Sequence, residues 1–346
     1  MTMPTPPSDD DPADDLGVDL GLESHLDADG KPRIVERHLI VPPELAGLRL
    51  DHFVKTQIAR LSRTKIQMVI DTQLTCVNRT FAIKPATIVA PGDHFVIRRE
   101  ARPEPPCPRT FTVVHEDRRV LVIDKPAGLP VHASAKFYFN TLARVLSERY
   151  PDEPELQLCH RLDRETSGCV VIARDREAAA FVKRAIGDKH RTTKQYLAVV
   201  HGQPPWETEA VLDTPLRLST EADATRLAHV RVLPDPAGMP AMTRVVVERR
   251  TDRYALVRCT LVTGRQHQIR VHLAHAGFPI VGDKLYAHGD DAFIDYCDEG
   301  LTPELAELFV LPRHALHAAR IVVPHPEGGT VTGEAPLPAD MAGLVP

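Results

Sequence analysis

Residues 159–168 read Cys159-His160-Arg161-Leu162-Asp163-Arg164-Glu165-Thr166-Ser167-Gly168 and lead straight into an apolar run, residues 169–173. That run is short, β-prone and bounded by polar residues, which predicts a buried strand. The stretch before it gathers two arginines, two carboxylates, a histidine and two hydroxyls into what reads as a loop. A carboxylate so placed can serve as nucleophile or base. A salt-bridged turn entering a strand has the same composition, so the stretch alone leaves both readings open.

Working outward, residues 120–123, 196–200, 244–247 and 255–262 are further β-prone runs. Asp175 is a good N-cap for a helix over residues 176–186, with Phe181, Val182, Ala185 and Ile186 on one face and Gly187 at its end. A second helix is predicted around residues 266–276, closed by Gly277 and Pro279. The order shows no regular βαβ alternation. It predicts an α+β fold with a mixed, largely antiparallel central sheet.

Two more segments carry chemistry. In residues 261–276, Ile269, Leu273 and Ala276 form an apolar helical stripe, and Arg270 lies beside it, so it can point into a cleft rather than straight to solvent. His267, His272 and His275 in the same region raise the question of a metal. Their spacing lacks HExxH and any matching fourth ligand, so no metal site is predicted. In residues 122–132 a strand ends in the turn Lys125-Pro126-Ala127-Gly128. The chain has no GxGxxG, no GxxxxGK[ST] and no GxSxG, so neither a nucleotide cofactor nor a serine-hydrolase elbow is supported.

The chain has 346 residues, which at roughly 100–200 per domain points to two domains. Hydrophobic residues make up 43%, ordinary for a globular protein. No apolar run approaches the roughly 18 residues that span a bilayer, and the acidic N-terminus is unlike a secretory signal, so a cytoplasmic protein is expected. The six cysteines, irregularly spaced and without a CxxC pair, are read as free thiols. The net charge is −5, yet residues 1–30 hold nine acids and no Lys or Arg. Residues 49–102 carry ten Lys/Arg against four Asp/Glu. Charge placement bears on polyanion binding more than the total does.

Residues 1–34 are rich in Asp, Pro and Gly and are read as a disordered acidic tail. Residues 35–100 read as a small module. Leu50, Phe53, Val54 and Ile58 have helical spacing, and Ser62 caps a second helix carrying Ile66, Val69 and Ile70. Strands are predicted around residues 76–77 and 95–97, with Pro91-Gly92-Asp93 as a turn. Arg49, Lys55, Arg60, Arg63 and Lys65 on these helices suggest a phosphate-facing surface or simply a solvated basic face. The four prolines within residues 101–108 read as a stiff linker. Residues 109–346 are left as the second domain.

Taken together, these segments resemble the RluA family of pseudouridine synthases. His160-Arg161-Leu162-Asp163 with Thr166-Ser167-Gly168 matches the HRLDxxTSG signature, and Lys125-Pro126-Ala127-Gly128 matches the upstream motif. Lys194 and Tyr196 match K-x-Y, and Gly264-Arg265 with His267-Gln268-Ile269-Arg270 match GRxHQIR. Residues 279–283 with Tyr286 match the final motif, though Ala287 stands where the family usually has glycine. The resemblance covers roughly residues 109–325. Residues 47–97 resemble the S4 RNA-binding domain through Arg49-Leu50-Asp51, Leu61-Ser62-Arg63, Val77-Asn78 and Gly92-Asp93, with Arg79 in place of the usual hairpin glycine.

The resemblance implies a pseudouridine synthase fold with an active-site cleft, and the isomerisation of uridine in structured RNA. The base detaches from C1′, rotates and rejoins through C5. Asp163 would be the essential carboxylate, either attacking C1′ or abstracting the C2′ proton. Arg270 would hold it ionised. Tyr196 would stack on the uracil and aid proton transfer at C5, with Ile269 as an apolar wall. Arg161 would fill the gap left by the flipped base; its bland alternative is an ion pair with Glu165. His160 would order the loop. Arg49, Arg63 and Lys65 would hold RNA phosphates. The rearrangement is redox-neutral and needs no metal or cofactor. Large-subunit ribosomal RNA is the first expected substrate and transfer RNA the second, with a monomer expected. The competing readings are a non-catalytic RNA-binding assembly factor and a metallohydrolase built on the histidines. Residues 290–311, acidic and without a matching motif, have no assigned role.

Overall fold

Residues 120–125 and 167–173 are apolar almost without interruption, the pattern of strands covered on both faces. They pair antiparallel, Val120 opposite Ala173 and Lys125 opposite Gly168. Alternation then sends Leu121, Ile123, Val170 and Ile172 into one core, and Val120, Val122, Cys169 and Val171 into another. The computed structural model describes residues 19–346 apart from Arg60, Ala135, Lys189 and His190. It divides into two units: residues 22–104, and residues 19–21 with 105–346.

The first unit contains β1 (Ile34–Ile40), α1 (Leu50–Gln57), α2 (Arg63–Gln73), β2 (Leu74–Cys76) and β3 (His94–Glu100). The strands form an antiparallel sheet in the order β1-β3-β2. Ser62 caps α2, its hydroxyl accepting from the Lys65 N–H at 3.4 Å. Leu50, Phe53 and Val54 of α1 and Ile66, Val69 and Ile70 of α2 pack on Phe95 and Ile97 of β3. At the Asn78 turn, the Asn78 side chain bonds Gly92 O at 2.7 Å and the His94 N–H at 2.9 Å. Arg79, in place of the expected glycine, pairs with buried Asp93 at 2.8 Å.

The expectation of a disordered tail through residue 34 is corrected from residue 19 onward; residues 1–18 and Arg60 lie outside the described residues. The Asp27 carboxylate accepts from the N–H groups of Asp29 and Lys31, both at 2.9 Å, and Gly30 takes a positive φ of 73°. This closes a turn bridged by Leu26 and Pro32, just ahead of β1. Asp27, one of the acidic residues read as disorder signals, is here a turn former, because its short carboxylate reaches backbone N–H groups two and four residues on.

The second unit contains β4 (Thr112–Glu116), β5 (Val120–Lys125), α3 (Leu142–Arg149), β6 (Gln157–Leu158), β7 (Ser167–Ala173), α4 (Arg176–Gly187), β8 (Thr193–His201), β9 (Ala210–Leu212), β10 (Leu216–Leu218), β11 (Val232–Pro234), β12 (Thr243–Arg250), β13 (Tyr254–Leu261), α5 (Gln268–His275), α6 (Gly289–Glu299), α7 (Pro303–Phe309), β14 (Leu316–Pro324), β15 (Thr330–Glu334) and α8 (Ala339–Ala342). Its ten-stranded sheet runs β4-β5-β7-β14-β8-β13-β12-β9, with β6 paired to β7 and β15 to β14. Among the described strands only β14 and β7 pair in parallel. The sheet is mixed and largely antiparallel, as expected for an α+β fold. The predicted α4 is capped by the Asp175 carboxylate, which accepts from the Ala178 N–H at 2.8 Å. Ala178, Ala179 and Val182 bury against the face of β5 and β7 that carries Val122 and Val171. The acidic segment without an assigned role forms α6 and α7. Asp290 of α6 binds Arg231 and accepts from the Arg226 N–H at 2.9 Å, tying the helix to the loop before β11. Among the described residues no helix is long and apolar enough to cross a membrane.

Gly168 sets where the polar loop meets the sheet. Its φ is 110°, and a Cβ there would lie 2.3–2.7 Å from backbone atoms of Ala318 on β14. That close approach is the parallel contact itself, Ala318 opposite Gly168. Gly168→Ala is therefore expected to lower the unfolding free energy by at least about 2 kcal/mol, through steric overlap and an unfavourable φ. Urea denaturation measures this; a loss below about 0.5 kcal/mol, within the range of ordinary surface changes, would contradict the assigned role.

Candidate active site

The polar stretch becomes the loop between β6 and β7, and almost every residue after Asp163 anchors it. Buried Lys125 donates to three carbonyls: Pro126 O at 2.8 Å, Leu129 O at 2.9 Å and Arg164 O at 3.2 Å. The Gly128 N–H also reaches Arg164 O at 2.8 Å. Glu165 takes both bonds from Lys284, at 3.0 and 2.9 Å, and accepts from the His314 N–H at 3.1 Å. Thr166 bonds His314 at 2.7 Å, and Ser167 bonds His317 at 2.9 Å. His160 accepts from the Val171 N–H at 3.0 Å, which fixes the loop from its other end. With so many anchors the Asp163 backbone has little freedom, which is what a positioned carboxylate requires.

Asp163 faces a cavity of about 580 Å³ that is also lined by Arg161, Lys194, Tyr196, His267 and Ile269. This is an ordinary size for a small-molecule or nucleobase site. Arg270, on α5, donates from Nη1 to Asp163 Oδ2 at 3.0 Å. Its other edge is taken by Asp283, Nε to Oδ2 at 2.7 Å and Nη2 to Oδ1 at 2.8 Å. Asp283 is fully buried and also accepts from the N–H groups of Leu285 at 3.0 Å and Tyr286 at 3.1 Å. The guanidinium thus hangs from a buried carboxylate and offers its remaining edge to Asp163.

Burial works against ionisation of Asp163, but the positive groups around it prevail and hold its pKa below the usual value. Of these, Arg270 is always charged. His267 and His314 are each pushed down to about 4, mainly by burial and then by Arg270, so at neutral pH the guanidinium carries the effect. Tyr196, buried on β8, has its pKa raised by burial and by the negative charge of Asp163, so it stays a neutral phenol. Burial draws Lys125 down to about 7 and lowers Lys194.

The cavity brings together Asp163, Tyr196, Arg270, Ile269, His160 and Arg161. Glu165 is engaged by Lys284 and Arg164, not by Arg161, which is exposed on the cavity wall. Arg49, Arg63 and Lys65 belong to the other unit. Arg49 is committed to Asp51, at 2.8 and 3.1 Å, whereas Arg63 and Lys65 stand exposed in the first turn of α2. His272 does not join His267. It is buried between Thr243 Oγ1 and Thr214 O, both at 2.9 Å. The helix expected from residue 266 begins at Gln268, because His267 takes a left-handed conformation, φ 53° and ψ 16°. Sequence reading missed Asp283, Lys284 and His314. Asp283 and its tyrosine lie in a matched motif, but only the fold puts them against Arg270.

Four histidines here are held neutral mainly by burial: His160 is pushed to about 3, and His267, His314 and His317 to about 4. An unfolded histidine titrates near 6.5. Between these values the unfolded chain binds protons that the folded chain refuses. Stability is therefore expected to fall as pH drops from about 6.5 toward 4, by up to about 1.4 kcal/mol per unit for each histidine. Urea unfolding near pH 7, 6 and 5 checks this; constant stability across that range would mean that the imidazoles are not held neutral.

The family model described as RNA pseudouridylate synthase matches residues 119–275, which include the Asp163 loop, Tyr196 and Arg270. The chain is 33% identical to the ribosomal large subunit pseudouridine synthase D of Nitrosomonas europaea, over 89% of this chain and 86% of that protein. It is also 33% identical to the ribosomal large subunit pseudouridine synthase C of Escherichia coli (strain K12), over 84% of this chain and 90% of that protein. The solved structure of human RNA pseudouridylate synthase domain containing 4 aligns with a TM-score of 0.52 at 28% identity, covering 67% of this chain and 90% of that one. The chain therefore belongs to the RNA pseudouridine synthases of the RluA type.

Proposed function

We propose that this enzyme isomerises uridines of large-subunit ribosomal RNA, with Asp163 as the reacting carboxylate. The observation that carries the reading is the Asp163–Arg270 pair, an ionised carboxylate held at 3.0 Å on the wall of the cavity. Whether Asp163 attacks C1′ or takes the C2′ proton, it must be charged and accessible. It is the more exposed of the two carboxylates on Arg270, with 26% of its side chain accessible against none for Asp283. The names of the ribosomal relatives support ribosomal RNA as the substrate.

A uridine within folded RNA must leave its stack to reach Asp163, at a cost of about a few kcal/mol. Arg161, exposed at the rim without an ion pair among the described residues, is suited to take the vacated place, since guanidinium stacks on bases and binds phosphate. Tyr196, neutral and flat, would stack on the uracil, with Ile269 as its apolar wall. The N-terminal unit, read as an S4-like module, would grip RNA through phosphates, with Arg63 and Lys65 exposed in the first turn of α2 and Arg49 holding Asp51 as well. This activity fits a cytoplasmic monomer that works without metal or cofactor.

The test is tritium release from in vitro transcribed large-subunit ribosomal RNA carrying [5-³H]uridine. Wild type is expected to release tritium. Asp163→Asn is expected to release none above background while binding the RNA normally. Release by Asp163→Asn at a rate near wild type would overturn the assignment of Asp163. Release from transfer RNA alone would move the substrate to that class.

A further inference from the structure

His267 is held more tightly than a helix-capping role requires. It precedes α5 in the left-handed region, where glycine and asparagine are at ease and histidine is strained. Its side chain makes no cap hydrogen bond to the helix. Instead Nδ1 meets the Tyr286 hydroxyl at 2.8 Å, and Nε2 lies 3.8 Å from Asp163 Oδ2 on the cavity wall.

The Tyr286 hydroxyl determines which ring nitrogen carries the proton. Its oxygen already accepts from the Val232 N–H at 3.0 Å. Its own hydrogen is then best used on His267 Nδ1, the acceptor beside it. If Nδ1 were the donor, the partly buried phenol would be left without an acceptor for its proton among the described residues. The proton of the neutral ring is therefore on Nε2. At 3.8 Å the Asp163 carboxylate is beyond hydrogen-bond reach, so this donor is unspent among the described residues and faces the space where the substrate base must sit. Burial keeps the ring neutral at physiological pH, as a donor that does not give up its proton.

We propose that His267 is a further catalytic residue, whose Nε2–H donates a hydrogen bond to a carbonyl oxygen of the flipped uracil as the C1′–N1 bond breaks. The proposal rests on the reading of Asp163 and this cavity as the reaction site. When the C1′–N1 bond breaks, its electron pair leaves with the base, and negative charge spreads over N1, O2 and O4. The imidazole donor stabilises that charge without proton transfer. When C5 uses the pair to bond C1′, the charge is consumed. C5 loses its proton to solvent and N1 gains one, so the product is an isomer of the substrate. A neutral donor suits this task, because a full cation there would also bind the ground-state carboxylate of Asp163 and compete with the base for it.

The test compares single-turnover rates on saturating [5-³H]uridine-labelled ribosomal RNA for wild type, Asp163→Asn, His267→Gly and His267→Gln, with RNA affinity and thermal unfolding measured in parallel. His267→Gly accepts the positive φ and removes only the side chain. It should still fold and bind RNA, with a modest drop in thermal stability because the Tyr286 hydroxyl loses its acceptor, yet react about 10²-fold more slowly or worse, the usual effect of losing one such donor. Gln places an N–H near the position of Nε2 and should restore at least about tenfold of that loss. A His267→Gly rate within about threefold of wild type, with Asp163→Asn inactive, overturns the role of His267 and leaves Asp163 standing. An active Asp163→Asn, or no release by wild type, overturns the reading on which the proposal depends.

Discussion

One guanidinium between two carboxylates organises the candidate active site. Arg270 gives two donors to Asp283 and one to Asp163. Two carboxylates and one arginine carry a net charge of −1. Asp283, buried and already accepting four hydrogen bonds, has its charge fully satisfied. The surplus therefore lies on Asp163, at the cavity. Removing one partner of a buried ion pair typically costs about 3–5 kcal/mol, because the remaining charge is stranded. The triad thus has to form as a unit, and forming it brings the loop after β6, helix α5 and the segment before α6 to a single point.

The remaining polar groups follow from holding that point still. Few backbone hydrogen bonds hold the Asp163 loop, Cys159 N–H to Val171 O and Gly128 N–H to Arg164 O among them, so side chains supply most of its anchors. Lys125 gathers three carbonyls, Glu165 binds Lys284, and Thr166 and Ser167 bind two buried histidines. Burial keeps those imidazoles neutral, so they serve as hydrogen-bond partners without adding charge beside Arg270. Lys284 is buried under Tyr296 of α6 and Phe309 of α7, with its ammonium 4.9 and 5.7 Å from the ring centroids. The acidic segment without a motif thereby acquires a role: its helices roof the lysine that fixes Glu165.

Much of this was legible beforehand because it is local. The two-face burial of β5 and β7 shows as nearly continuous apolar runs, and the caps Ser62 and Asp175 stand where their helices begin. Asp163, Tyr196 and Arg270 were identified by motif and then met in one cavity. Asp283 was not identified, since its significance depends on Arg270 thirteen positions away in the chain. The apolar pattern predicts the start of α5 two residues early, because helical spacing gives no sign that His267 has left-handed dihedrals. The Asp and Gly content of the segment before β1 resembles disorder as composition, whereas Asp27 and Gly30 are the particular residues of one turn.

The central claim is that the forked geometry of Arg270, as well as its charge, prepares Asp163 for reaction. Arg270→Lys tests it most directly, because lysine keeps the positive charge but cannot bind both carboxylates through one planar group. The measurement is the single-turnover rate of tritium release at saturating ribosomal RNA, with RNA affinity determined on the same preparation. The account predicts unchanged affinity and a rate lowered by about 10²-fold or more, as expected for the loss of a positioned group. A rate within about threefold of wild type would show that any nearby cation suffices, and would contradict the claim.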